Sequence, residues 1–297
     1  MSPSIAALIS KYKLEAHRET ISNGLVPAYR LATGKPGKGK SKLGGDPDLP
    51  SSTPWPTKDG RPLHFLAQLR LSEIPRGHLA DLPTQGWVHL WYDTIEEDAR
   101  NARTEINAAD YDPPLAHLTF DPDESQRRIR RELPPLPDDL ELDWCEWEPF
   151  KQVSFTFDPI WCLNAQATRI IMDAEEKADR KTGWDRVYAF LGGIENRQPG
   201  NAPSHRVLGD LYEMQTNSRF NAACAAAEVA EFADHSKTSM SALNRAAAEY
   251  RLLFLLDSDD DPGFVWGDAG SLQWWIRKGD LARGKLDKAV GLYEQGG

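Results

Sequence analysis

Apolar and polar positions alternate along this chain in short runs that switch between two periods. Over residues 4–21 the apolar Ile5, Leu8, Ile9, Tyr12 and Leu14 recur at helical spacing, with Ser4 or Ser2 as cap and Gly24 as stop. Residues 25–32 (LVPAYRLA) read as a strand, and Pro27, which cannot donate to a ladder, places it at a sheet edge. Residues 62–71 and 86–93 are strands as well; in the second, Trp87, His89 and Trp91 alternate with Val88, Leu90 and Tyr92. Asp59-Gly60 marks a turn ahead of the first of them. Residues 94–109 predict a charged surface helix, and 115–120 and 150–157 two short strands. The basic run 126–133 reads as a solvated strand or helix face, and the proline-rich 134–144 as a connector. Residues 168–191 predict a helical region ended by Gly192-Gly193. Residues 221–250 predict an Ala-rich helical region broken near 235–239 and recapped by Thr238 or Ser239. The stretch 279–293 predicts a closing helix that begins near Asp280. Two groups of strands with helices between and around them specify an α+β class with antiparallel sheets, not a βαβ alternation.

Residues 252–276 (LLFLLDSDDDPGFVWGDAGSLQWWI) concentrate the chemistry. An apolar run ends in Asp257, Asp259, Asp260 and Asp261, a turn with Trp266, Gly267, Asp268 and Gly270 follows, and a Trp-rich run closes the stretch. Asp257, Asp259 and Asp261 occupy positions 1, 3 and 5 of a calcium loop and Asp268 position 12, so a metal reading assigns calcium to these four. Against it, Pro262 stands where such a loop needs Gly, Asp268 is shorter than a bidentate Glu, and the flanks are strands. The favoured reading is turn chemistry. Asp257 and Asp259 accept backbone N–H bonds, Asp268 does so in the next turn, and Gly267 and Gly270 supply positive φ. No cofactor is expected; calcium is the alternative.

Gly34, Gly39, Lys40 and Ser41 match the Walker A spacing. A phosphate loop needs a helix starting at its Lys-Ser pair, and here Gly44, Gly45, Pro47, Pro50, Pro54 and Pro56 follow instead. The plainer reading is a basic loop entering a proline-rich segment. The histidines form no HxH, HExxH or HxxxH pair, although His64 and His89 sit where neighbouring strands could bring them together with Asp93. No G-x-S-x-G elbow is present, and no nucleophile is visible.

The two halves share landmarks in the same order. KLGGDPDLP, HFLAQLRL and GWVHLWY in the first half correspond to RVLGDLYEMQ, LLFLLDSD and GSLQWWI in the second. Gly45-Asp46 matches Gly209-Asp210, Gln68-Leu69 matches Leu255-Leu256, and Gly86 matches Gly270. The second half is longer between these points by about the Ala-rich helical insert, which a loop accepts at small entropic cost. An internally duplicated unit, with halves near 25–160 and 200–297, is the expectation.

Taken together, the KLGGDPDLP…WP segment (with Gly44, Gly45, Pro47 and Trp55), FLAQLRL (with Gln68), HRVLGDLYEMQ (with Gly209 and Gln215), LLFLLDSDD, WGDAG (with Trp266, Gly267 and Gly270) and the closing Asp280-Leu281 resemble the YwqG-like family of bacterial proteins of unknown function. The resemblance spans roughly residues 25–295 of the chain, which would then form one domain. It implies a cytoplasmic α+β fold with no agreed activity, and for some members an immunity role beside toxin genes. One position departs: Leu255 stands where the family usually has Gln, while Gln68 is kept.

Composition narrows the functions. With 40% hydrophobic residues and ten tryptophans among 297, the chain holds a real core. A net charge of −10 disfavours nucleic acid. Cys145, Cys162 and Cys224 make no disulfide framework, and the N-terminus is no signal peptide, so a reducing cytoplasm and no membrane are expected. The resulting expectation is a non-catalytic module that binds another protein, a toxin or peptide, through an acidic, aromatic surface. A metal-dependent or hydrolase-like site on the acidic turn is the alternative.

Overall fold

The computed structural model describes residues 4–33, 37, 39–78, 81–101, 114–138, 140, 142, 146–196, 203–211, 217–229, 236–267 and 270–294. The fold is α+β. A six-stranded sheet runs, in spatial order, Thr156–Leu163, Leu25–Ala32, Arg206–Leu208, Tyr250–Asp257, Ser271–Arg277 and Val290–Glu294. A five-stranded sheet runs Val153–Ser154, Lys42–Leu43, His64–Arg70, Trp87–Tyr92 and Ala116–Asp121. Pairing in both sheets is antiparallel throughout.

The two sheets follow one pairing scheme. Lys42 and Leu43 face Gln68 and Ala67, as Arg206 and Val207 face Leu255 and Phe254. Each long hairpin then shifts register once at the corresponding place, between Phe65 and Ala67 opposite Trp91 and Leu90, and between Leu252 and Phe254 opposite Trp275 and Trp274. Each short strand leads into two consecutive left-handed residues: Gly44 and Gly45 at φ 57 and 70, Leu208 and Gly209 at φ 58 and 91. A Cβ on Gly209 would sit 2.8 Å from the Cys162 sulfur, so glycine is demanded there twice, by conformation and by space.

The inner faces share one core, in which Leu66, Leu69 and Leu90 of one sheet meet Phe254, Leu256 and Trp274 of the other. Their last strands also touch. The Trp274 indole donates to the carbonyl of His117 (3.0 Å) across the junction. A Cβ on Gly291 would lie 1.8 Å from the carbonyl oxygen of Ala116, so only glycine permits this approach of two backbones.

Helices cover the rest. Ile5–Lys11 starts at Ser4, whose hydroxyl accepts from the Ala7 N–H, and ends before Lys13 at φ 58. The chain then re-enters helix over Arg18–Gly24, so the expected single helix is broken. These helices pack with Ala165–Ala178 and Gly183–Ile194 through Leu8, Ile21, Ile171 and Phe190. The inserted helices Ser218–Ala226 and Lys237–Ala247 cover Leu252, Leu255 and Trp275 on the outer face of the six-stranded sheet. Ser236, not Thr238 or Ser239, caps the second of them.

Three further expectations fail. The strand Leu25–Ala32 is interior; its Arg206–Leu208 partner pairs only with residues 28–30, so Pro27 is tolerated beyond the end of that ladder. Gly192-Gly193 lies inside its helix, which runs on to Ile194. The closing segment is helical only over Lys278–Ala282 and then becomes the edge strand Val290–Glu294, because residues 290–294 find a ladder on Ser271–Arg277. No helix among the described residues is long and apolar enough to cross a membrane.

Candidate functional site

The strand Tyr250–Asp257 delivers its last carboxylate to a tight hairpin. Asp259 and Phe264 exchange both backbone hydrogen bonds, at 2.9 and 2.8 Å, and Gly263 turns the chain between them at φ 84. Asp257 accepts from the N–H groups of Ser204 and Ser258. Asp259 accepts from the Asp261 N–H (3.0 Å) and from the His205 ring (3.0 Å). His205, fully buried, has its Nδ1 facing the Asp257 N–H at 2.9 Å. That bond needs a lone pair on Nδ1, so the ring proton sits on Nε2 and is donated to Asp259. Burial raises the Asp259 carboxyl, but the hydrogen bonds from His205 and Asp261 outweigh it and hold the group below the usual carboxylate range. The Ser258 hydroxyl completes the turn, accepting from the Trp266 N–H and donating to the Gly270 carbonyl, both at 3.1 Å.

Asp257 and Asp259 therefore act as acceptors for backbone and ring N–H groups. Among the described residues no three His, Cys, Asp or Glu side chains are grouped so as to hold a metal ion; Asp268 lies outside the described residues. Gly267 takes φ 54 as its turn requires, and Gly270 donates its N–H to the Trp266 carbonyl.

The loop after the strand Lys42–Leu43 is held differently. Gln68, completely buried, accepts from the Asp48 N–H (2.8 Å) and donates to the Lys40 carbonyl (2.8 Å) and the Asp48 carboxylate (2.9 Å). It thus pins both sides of the Gly44-Gly45-Pro47 loop. Pro47 adds a carbonyl that accepts from Arg131, and the Trp55 indole donates to the Leu63 carbonyl while packing edge-on against Trp91. Gln215 lies outside the described residues.

Of the Walker-like match, Gly34 lies outside the described residues, and the rest does not lead into a helix. Its Lys40 and Ser41 N–H groups both donate to the Glu73 carboxylate, at 2.7 and 3.0 Å, and the chain continues into the strand Lys42–Leu43. These two N–H groups are thus satisfied by an internal carboxylate, and a strand rather than a helix follows them. His64 and His89 do not meet either: register puts His64 opposite Tyr92 and His89 opposite Gln68. Burial pushes both rings down to about 4, only partly offset by bonds to the Glu148 and Asp48 carbonyls.

A cleft of about 500 Å³ opens where the acidic hairpin meets the end of the five-stranded sheet. Its floor carries Tyr92, Phe150 and Trp266, with Tyr92 and Phe150 at 5.0 and 6.2 Å from Trp266 between ring centroids. His64 adds a fourth ring, packed 4.6 Å from Phe150. Glu97 and Asp98 line one wall, Glu146 and Glu148 another, and Val265, 67% exposed, forms the lip. Lys151 fastens the hairpin by donating its N–H to the Pro262 carbonyl (3.0 Å). Four segments remote in sequence make this cleft among the described residues, and its 146–151 wall starts between the expected connector 134–144 and the expected strand 150–157.

No curated protein matches the chain. The profile of a domain of unknown function, DUF1963, matches residues 41–294. That span holds the Gln68-pinned loop, the cleft and the acidic hairpin, and leaves out the first helices and the strand Leu25–Ala32, which nevertheless completes the larger sheet. The chain belongs to the DUF1963 family.

Proposed function

We propose that this protein is a non-catalytic binding module of the YwqG-like kind, bacterial and cytoplasmic, that engages another protein through the cleft, in the manner of an immunity protein. The observation that carries this reading is the cleft itself, a concave site with an aromatic floor, carboxylate walls and an exposed Val265 at its lip. Its volume of about 500 Å³ falls within the ~300–1,000 Å³ typical of ligand clefts. Two further features support binding over catalysis. The acidic hairpin uses the Asp257 and Asp259 oxygens to hold its own turn. Cys162 is buried against Arg206, and burial pushes its thiol up, away from the reactive thiolate. The shared register of the two sheets supports descent from one duplicated unit, the second copy having gained the helical insert and the acidic hairpin.

Co-expression with the product of the neighbouring gene, followed by size-exclusion chromatography, tests the proposal. A complex that forms with wild type and is lost in Val265→Glu and Phe150→Ala is expected. A complex indifferent to both substitutions would overturn the assignment to the cleft.

A further inference from the structure

The strands Asp48–Pro50 and Arg128–Arg130 form an antiparallel ribbon that belongs to neither large sheet. Its register fixes which backbone groups are used. The Arg131 N–H donates to the Pro47 carbonyl (3.0 Å), so Ile129 and Leu49, two residues along each strand, are the next hydrogen-bonded pair. Arg130 and Arg128, opposite Asp48 and Pro50, stand at the alternate positions. The other strand agrees, for its Asp48 N–H turns away to the Gln68 side chain and its Pro50 carbonyl accepts from the Thr53 N–H. The N–H and C=O groups of Arg128 and Arg130 therefore point outward, to an edge that pairs with no strand among the described residues. Such an edge is a template for one more strand. Charge then selects which strand. Residues 127–131 hold four arginines in a chain of net charge −10. Arg128 is committed inward, packed 4.8 Å over the Trp87 ring and paired with Asp121, while Glu124 is taken by Arg70 at 2.6 Å. Arg131 donates to the Thr53 carbonyl. Arg127 and Arg130 are exposed and make no hydrogen bond or ion pair with the described residues. Ile129, 39% exposed, stands between them on the face opposite Arg130.

We infer that the outer edge of Arg128–Arg130 docks an extended acidic segment of another protein, added as a third, antiparallel strand of the ribbon. The incoming residues opposite Arg128 and Arg130 exchange N–H and C=O bonds with them. Side chains opposite one another across an antiparallel pair share a face. Carboxylates therefore stand opposite Arg130 and Arg127, and an apolar side chain opposite Ile129. The ribbon shares no residue with the cleft, so this edge stands or falls independently of the cleft's own partner.

Titration of the ¹⁵N-labelled full chain with acetyl-Ser-Glu-Val-Thr-Glu-Ser-amide tests this by backbone chemical shifts and amide hydrogen exchange. The peptide is expected to shift the amides of 127–131 and to slow exchange at Arg128 and Arg130. Ile129, already paired with Leu49, should keep its rate. A peptide with both Glu replaced by Gln is expected to bind about fivefold more weakly, and Arg127→Gln/Arg130→Gln, at two exposed positions, to weaken the Glu peptide by about the same factor. N-methylation of the peptide Thr, whose N–H would face Arg128, is expected to abolish binding, whereas N-methylation of its Val, whose N–H would point away, should leave it intact. Equal binding of the Gln peptide overturns the acidic specificity. An equal effect of the two N-methyl groups overturns the strand addition. No shift within 127–131 at millimolar peptide overturns both.

Discussion

Two buried histidines should make this fold lose stability on mild acidification. His64 and His89 are each 2% exposed, and burial pushes each from the usual 6.5 to about 4. For His89 the nearby Arg128 cation adds to the effect, while bonds to backbone carbonyls partly oppose it in both. Because the folded-state value lies below the unfolded one, the unfolded chain takes up each proton first as pH falls. Stability is fully present above 6.5 and is lost between 6.5 and about 4; below that both states are protonated and nothing more is lost. At pH 5 the linkage amounts to roughly 2 kcal/mol per histidine, or about 4 kcal/mol for the pair. That is a large part of a typical total of about 5–15 kcal/mol. Urea unfolding between pH 7.5 and 5 measures it directly. His64→Gln and His89→Gln will lower stability at neutral pH by removing packed, hydrogen-bonded rings, so the slope with pH, not the absolute value, is the diagnostic. Each variant should flatten the slope by about one proton, ~1.4 kcal/mol per pH unit. A wild-type stability that does not change over this range, or a slope untouched by both variants, would refute the reasoning.

Further outcomes are expected. Gly209→Ala should lower stability by about 2–4 kcal/mol in urea, since a side chain at φ 91 is strained and its Cβ would press on Cys162 and Ala28. Glu73→Ala should cost about 1–3 kcal/mol by orphaning the Lys40 and Ser41 N–H groups. Mg-ATP should leave the melting temperature of wild type and Lys40→Ala unchanged; a rise abolished by Lys40→Ala would restore a nucleotide site. Asp259→Asn should cost about 1–3 kcal/mol at pH 7 by removing the acceptor for His205. Because the folded-state carboxyl is held low, that difference is present above the ordinary Asp value and shrinks as pH falls through the lowered one. Calcium should not raise the melting temperature of wild type; a calcium-dependent rise lost in this variant would return the hairpin to the metal reading.

What the chain determines locally is written in short-range chemistry. Ser4 caps the first helix because its hydroxyl reaches a donor three residues on. Asp59-Gly60 turns a hairpin because both residues accept positive φ. The strands His64–Arg70, Trp87–Tyr92, Tyr250–Asp257 and Ser271–Arg277 are legible as β-branched, aromatic or alternating runs that need no distant partner to be recognised.

Pairing with remote segments decided the rest. Pro27 suits an edge by its chemistry, yet the strand is interior because its second neighbour is only three residues long. Residues 290–294 carry no pattern that excludes helix; a vacant ladder on Ser271–Arg277 makes them a strand. Lys40 and Ser41 fit a phosphate loop by spacing, but Glu73, 33 and 32 residues away, satisfies their N–H groups. The acidic run was conspicuous in sequence, whereas His205, which fixes its geometry from 54 positions away, was not. The cleft was least visible of all, because its rings and carboxylates converge only when the two sheets close on their shared core. Local periodicity records which face of an element is apolar; it does not record which distant carboxylate, ladder or ring that face will meet.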